Sequence, residues 1–170
     1  RSLSVVADTI RAALIVADPR RIDLTEFAAL HLRMKSGTDI AMLNGLMHII
    51  LKEGWHDKAY VESRTEGFEA MAAKLEDYPP DKVAQITGVD AATLRRMAEM
   101  FAKTKPASIV YCMGITQHTT GVDNVKDLAN LAMLTGNVGV ASGGVNPLRG
   151  QNNVQGACDM GGLPNVFTGY

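Results

Sequence analysis

With 46% hydrophobic and 21% charged residues, this chain of 170 has the apolar content of one packed domain and too much for a disordered segment. Its formal net charge of −1 gives no electrostatic footprint for a nucleic-acid partner. Its two cysteines, Cys112 and Cys158, exclude a disulfide-dense scaffold and an iron–sulfur cluster held by this chain alone, which takes about four thiolates. No apolar run reaches the roughly 18 residues of a membrane span. Arg1 to Ile10 carries Arg1 and Asp8 without a long apolar stretch, so no signal peptide is expected there.

Ala13-Leu14-Ile15-Val16-Ala17 is a continuous apolar run stopped by Asp18-Pro19, the pattern of a buried parallel strand. Leu30 to Met34 is a second, more alternating run, closed by Lys35-Ser36-Gly37. Ile40, Leu43, Met47 and Ile50 share one face of a helix over 40–51, with Thr38 or Asp39 as its N-cap and Gly54 beyond its end. Short helices are expected over 56–62 and 66–76, and one or two helical turns over 81–86, between Pro79-Pro80 and Gly88. Asp90 then caps a helix whose apolar face is Leu94, Met97, Ala98 and Phe101. Ser108 to Cys112 makes a third strand, and 122–134 a last helix with a Gly136 stop. Strands separated by helices predict an α/β fold: a Rossmann-like parallel sheet with flanking helices. Three strands are few for such a sheet, which points to a part of a larger multidomain subunit.

From Gly136 onward the composition changes. This tail of 35 residues holds nine of the 16 glycines, five asparagines and two charged residues, Arg149 and Asp159. Glycine lets backbone approach a ligand closely and asparagine both donates and accepts, so the tail reads as ligand-lining backbone. Arg149 stands alone among amides and glycines in the run from Val145 to Gly156. If buried, it needs an anion, and a substrate carboxylate or a cofactor phosphate would supply one.

The strand ends carry the other candidates. Ligands of open α/β sheets bind beyond the carboxyl ends of strands. Asp18 there offers a carboxylate to a ribose or to the N–H edge of guanine, and Arg20 a donor. Gly37-Thr38-Asp39 follows the second strand and opens a helix, and Asp39 suits a ribose or base better than a phosphate. Met113-Gly114-Ile115-Thr116-Gln117 follows the third. Three successive strand ends in polar or glycine loops suggest one long ligand across a sheet edge, as a nucleotide lies. The glycine fingerprint of ordinary dinucleotide enzymes is missing after the first strand. His31, His48, His56 and His118 form no metal-ligand spacing, so no metal ligand is expected; His48 reads as a core residue and His118 as the one near a site.

The run Arg149-Gly150-Gln151-Asn152-Asn153-Val154-Gln155-Gly156-Ala157-Cys158-Asp159-Met160-Gly161 resembles a signature of the catalytic subunits of molybdenum- or tungsten-dependent formate dehydrogenases, within the molybdopterin oxidoreductase superfamily. Ile15-Val16-Ala17-Asp18-Pro19-Arg20, Ser63-Arg64-Thr65-Glu66-Gly67-Phe68-Glu69, Ile86-Thr87-Gly88-Val89 and Leu131-Ala132-Met133-Leu134-Thr135-Gly136-Asn137 extend the resemblance over nearly the whole chain from Ala13. It implies a metal held by two molybdopterin guanine dinucleotides. Ala17, Asp18 and Arg20 would meet the guanine nucleotide of one, with Gly37 and Asp39 against the same nucleotide. Met113, Gly114 and Gln117 match the third loop, Gly150 and Gln151 the approach to the pterin, and Arg149 the arginine that orients formate beside the metal.

The resemblance also implies what this chain does not carry. The family's cysteine or selenocysteine metal ligand followed by histidine, its N-terminal cluster of cysteines for a 4Fe–4S centre, the lysine between them and its C-terminal domain have no match here. The chain then reads as an internal fragment: 1–150 an α/β cofactor-binding domain incomplete at its N-terminus, 151–170 a Gly/Asn-rich segment leading into a neighbouring domain. The expected reaction is oxidation of formate to carbon dioxide by the full subunit, with the fragment alone inactive. The implied partners are formate, the remaining domains and electron-transfer subunits. Both cytoplasmic and exported forms of such enzymes exist, so the compartment stays open. Another molybdopterin oxidoreductase, such as a nitrate reductase, and a stand-alone nucleotide-binding module are the alternatives.

Overall fold

The computed structural model describes residues 12–163. The signal-peptide reading of 1–10 and the last residues of the tail lie outside them. The order is β1 (Ile15–Ala17), a 3-10 turn (Asp23–Phe27), β2 (Leu30–Leu32), α1 (Asp39–Lys52), α2 (Lys58–Arg64), α3 (Phe68–Leu75), α4 (Pro80–Thr87), α5 (Ala91–Lys103), β3 (Ser108–Tyr111), α6 (Met113–Thr116), α7 (Gly121–Leu134), β4 (Gly144–Pro147) and α8 (Val154–Asp159). This is the expected α/β alternation of parallel strands with flanking helices.

Among the described residues the strands do not form the single sheet that three strand ends on one edge required. β1 pairs in parallel with β2, Val16 opposite His31, and β3 pairs in parallel with β4, Ile109 opposite Val145. These are two separate two-stranded sheets. The fourth strand, β4, lies inside the glycine-rich tail. Gly144 at φ +103° and Pro147 disguise it, because neither residue favours a strand.

α1 is the centre of the core. Ala41, Met42, Leu43, Leu46, Met47, Ile49 and Ile50 are all buried, so it is apolar nearly all round, as a helix covered on several sides must be. Asp39 in its first turn and Lys52 in its last complement the helix dipole. It packs against α4, α5 and α7. Gly45 lets α4 approach: a Cβ there would sit 2.8 Å from Val83 Cγ2. His48 is 8% exposed, and its Nδ1 donates to the Leu75 carbonyl at 2.8 Å, the core role expected of it.

Two caps expected and unexpected fix the helices. Asp90 accepts from the Thr93 backbone N–H at 2.8 Å and starts α5 as expected, with Leu94, Met97 and Ala98 buried. Asp57 does the same for α2 through Tyr60, and also takes the Lys105 ammonium at 3.1 Å. Those bonds, the backbone one foremost, hold the Asp57 carboxyl below its ordinary range. Thr38 occupies the N-cap position of α1 without capping it; its hydroxyl donates instead to Lys35 O at 2.6 Å.

The tail asparagines do structural work. Asn137, 1% exposed, accepts from the Ala107 N–H at 2.9 Å and donates to Thr135 Oγ1 at 2.8 Å, tying the end of α7 to the start of β3. Asn146 donates to Ser108 Oγ across the β3–β4 pair at 2.7 Å. Asn153, at φ +52°, caps α8 by accepting from Gly156 N–H at 3.2 Å. These three amides serve the fold.

Candidate cofactor-binding site

The turn that leaves β1 is held from three sides. Asp18 N–H donates to Leu32 O at 3.2 Å, continuing the ladder with β2. His31 Nε2 donates to Asp18 O at 2.9 Å, and Arg33 Nε to Pro19 O at 3.2 Å. Within the turn, Asp18 Oδ1 accepts the Arg20 backbone N–H at 2.7 Å, with the Arg20 guanidinium Nε at 3.5 Å. The Asp-Pro-Arg run therefore makes the ordinary Asx turn that its sequence allows. It also presents a partly exposed carboxylate beyond the carboxyl end of a parallel strand.

The other strand ends converge on the same space. Gly37, at φ +78° with open space where a Cβ would stand, turns the chain between β2 and α1. Asp39, 7% exposed, opens α1. After β3 the chain enters one helical turn, α6, where a loop was expected, and Gln117 N–H closes it on Met113 O at 2.9 Å. His118 Nε2 donates to Gly114 O at 2.9 Å.

A cavity of about 1130 Å³ lies between the two strand pairs. Ala17, Asp18, Arg20, Gly37, Asp39 and Gly114 line it, so six of the ten expected cofactor-binding residues meet around one space although they come from three loops. His118 lines it too. Met113, Gln117, Gly150 and Gln151 do not; Met113 is 51% exposed and faces outward. The reading of one sheet edge is thus replaced by a mouth between two sheets.

Arg149 is exposed, which removes the premise that a buried guanidinium demands an anion. Its position is nonetheless defined. Leu148 N–H donates to Tyr111 O at 2.7 Å, extending the β3–β4 ladder by one bond, and Arg149 is the next residue. It leaves β4 at the carboxyl end, beside the chain leaving β3.

His31 and Arg33 escaped the sequence reading. They contribute by holding the Asp18 turn, and only the β1–β2 register reveals that, since the residues lie 13 and 14 positions apart. Among the described residues no group of three or more His, Cys, Asp or Glu side chains could hold a metal ion, so a metal at this site would depend on groups outside them.

A parallel α/β scaffold with carboxylates and glycines around one mouth has the form of a nucleotide-type cofactor site. The comparisons narrow the class. The molybdopterin oxidoreductase family model matches residues 4–169, and the chain belongs to that family. It is 52% identical to formate dehydrogenase H of Escherichia coli over 159 residues, 94% of this chain and 22% of that protein. It is 52% identical to the F420-dependent formate dehydrogenase 1 subunit alpha of Methanococcus maripaludis over 157 residues, 92% of this chain and 23% of that one. The structure of acetylene hydratase from Pelobacter acetylenicus superposes with a TM-score of 0.71 at 37% identity, over 73% of this chain and 17% of that one. The chain thus spans less than a quarter of the length of these relatives.

Proposed function

We propose that this chain is the cofactor-binding part of a formate dehydrogenase catalytic subunit, and that the mouth between its strand pairs receives the guanine nucleotide of a molybdopterin guanine dinucleotide. The single observation that carries this is the convergence of Asp18, Arg20, Gly37, Asp39 and Gly114 on one cavity. The residues fit such a group. A carboxylate accepts the paired N–H donors of a guanine edge or two ribose hydroxyls, and the Asp18 turn is held rigidly enough to present one. Open space over Gly37 leaves room for the ligand's approach. Asp39 at the N-terminus of α1 disfavours a phosphate there and suits a sugar or base. Gly114 lies on the opposite lip, and Met113 and Gln117 flank it in the same helical turn.

A bound cofactor carrying molybdenum or tungsten would supply the two-electron acceptor that formate oxidation needs. Arg149 binds the formate carboxylate through its planar fork and fixes the direction of the C–H bond, which is positioning and electrostatic work. Gly150 and Gln151 follow at the pterin approach, and 151–170 lead toward a neighbouring domain. The metal ligand, the 4Fe–4S centre and the contacts to electron-transfer subunits come from elsewhere in the longer protein. The relatives named as formate dehydrogenases support this over a nitrate reductase or a free-standing nucleotide-binding module.

The test is dye reduction by the full-length subunit purified with its cofactor. Formate-dependent reduction of a viologen, with one carbon dioxide formed for every two one-electron viologen reductions, is the expected result. Nitrate turnover without formate turnover would overturn the assignment.

A further inference from the structure

The charged groups of the cavity are unevenly placed. Asp18, beyond β1, and Asp39, in the first turn of α1, both line it from the side of the first strand pair. The two basic side chains longest in reach are already engaged. Arg20 Nε lies 3.5 Å from the Asp18 carboxylate, and the Lys105 ammonium, before the amino end of β3, lies 3.1 Å from Asp57. Two carboxylates repel phosphate oxygens and accept from the hydroxyls of a sugar or the N–H groups of a base. The uncharged end of a nucleotide therefore suits the Asp18 side, and its phosphates fall toward the lip after β3. There His118 is exposed and lines the cavity beside Gly114.

One nitrogen of that ring is committed. His118 Nε2 lies 2.9 Å from the Gly114 carbonyl, which only accepts, so Nε2 carries a proton in either charge state. The nitrogen that gains or loses a proton is Nδ1, and among the described residues it has no protein partner. The neutral ring presents a lone pair there, and the protonated ring an N–H with a positive charge. The other titratable groups nearby are Tyr111 and Cys112 of the chain leaving β3. On α7, which packs against α6, Asp123 is paired with Lys126 at 3.7 Å, and Asp127 carries its raised pKa. Histidine is the side chain that ordinarily becomes cationic between about pH 8 and pH 5, and His118 is the sole histidine lining the cavity among the described residues.

We propose that His118 is the phosphate-binding residue of this site: its protonated Nδ1 donates to a pyrophosphate oxygen of the bound nucleotide, so that binding strengthens as pH falls. The inference rests on the guanine-nucleotide reading and deepens it, by assigning the charged part of the ligand to a side chain. A hydrogen bond between an imidazolium and a phosphate oxygen is charge-assisted at both ends. The sign of the pH dependence follows from reciprocity. The phosphate makes the ring bind its proton more tightly, so the proton makes the site bind phosphate more tightly by the same factor. The Nε2 bond to Gly114 keeps the ring in one direction through the change of charge. A nucleoside without phosphates gains nothing from the ring, so the same contact separates nucleotides from nucleosides.

The test is calorimetric titration of the full-length, cofactor-free subunit with guanosine diphosphate mannose and with guanosine, at pH 5.5 and pH 8. The sugar nucleotide is chosen because its pyrophosphate diester keeps the same charge at both pH values. The expected result is binding of the sugar nucleotide about tenfold or more tighter at pH 5.5, with guanosine affinity changed less than about twofold. His118→Gln should abolish that slope, weaken the sugar nucleotide about tenfold at pH 5.5 and leave guanosine binding unchanged. His118→Lys, cationic at both pH values, should abolish the slope while keeping the tight binding. A slope that survives in His118→Gln, an equal slope for guanosine, or guanosine binding lost in His118→Gln would overturn the proposal. Saturable guanosine binding with no slope for the sugar nucleotide would overturn it alone. Absence of guanosine binding by the folded parent would overturn the guanine reading and this inference with it.

Discussion

The His31 imidazole reaches across the β1–β2 pair and donates to the Asp18 carbonyl at 2.9 Å, so the second strand sets the geometry of the turn that leaves the first. The bond makes the position of the Asp18 carboxylate a property of the sheet register. Replacing His31 by Ala should leave Asp18 chemically intact but less well placed. The full-length subunit is expected to lose several-fold in affinity for guanosine diphosphate and about 1 kcal/mol in stability. Calorimetric titration and thermal unfolding of the variant check both.

Arg149 follows the last ladder bond of β4, Leu148 N–H to Tyr111 O. Arg149→Lys keeps the charge but replaces a planar fork by a point donor. In the full enzyme we expect kcat/KM for formate to fall by about 10²-fold, with molybdenum or tungsten content unchanged. Loss of metal in step with activity would reassign Arg149 to cofactor retention.

The contact of α1 with α4 depends on Gly45, where an added Cβ would meet Val83 at 2.8 and 2.9 Å from its two methyl carbons. Val83 is fully buried and has little room to give. Gly45→Ala should therefore destabilise by about 1–3 kcal/mol despite alanine's better helix propensity. Gly45→Ala combined with Val83→Ala should recover part of that loss, and unfolding of both variants reads it out.

Asp127 on α7 is half-buried, and burial first, then the neighbouring Asp123 carboxylate, push its pKa up to about 6, against a smaller opposing hydrogen bond from Asn130. A carboxyl whose folded pKa lies above its unfolded value binds its proton more tightly in the native state. Its contribution is therefore favourable at low pH and is lost as pH rises from about 4 to about 6. Asp127→Asn should raise stability by about 1 kcal/mol at pH 7.5, a figure reduced for solvent screening of a half-exposed group, and change little at pH 3.5. Unfolding measured at the two pH values checks the sign.

The long elements were legible because their patterns were strong. The apolar stripe of α5 and its Asp90 cap, the core helix α1 and the runs that became β1 and β3 all appear within a few residues of their expected places. β4 was not legible, because Gly144 and Pro147 carry no strand signal and the strand exists only through its register with β3. The loops of the candidate site could be listed from strand ends alone. Their meeting at one cavity could not, since it depends on how α1, α5 and α7 pack beneath two sheets. The exposure of Arg149 was equally hidden, because composition around an arginine says nothing of what covers it.

The most direct test of the cofactor site is calorimetric titration of guanosine diphosphate into the full-length, cofactor-free subunit and its Asp18→Ala variant. The account predicts saturable binding by the parent and an affinity at least about tenfold weaker in the variant, which loses a charge-assisted acceptor. Equal binding by the two proteins, or no saturable binding by a folded parent, would contradict a guanine-nucleotide site at the mouth formed by Asp18, Gly37 and Gly114.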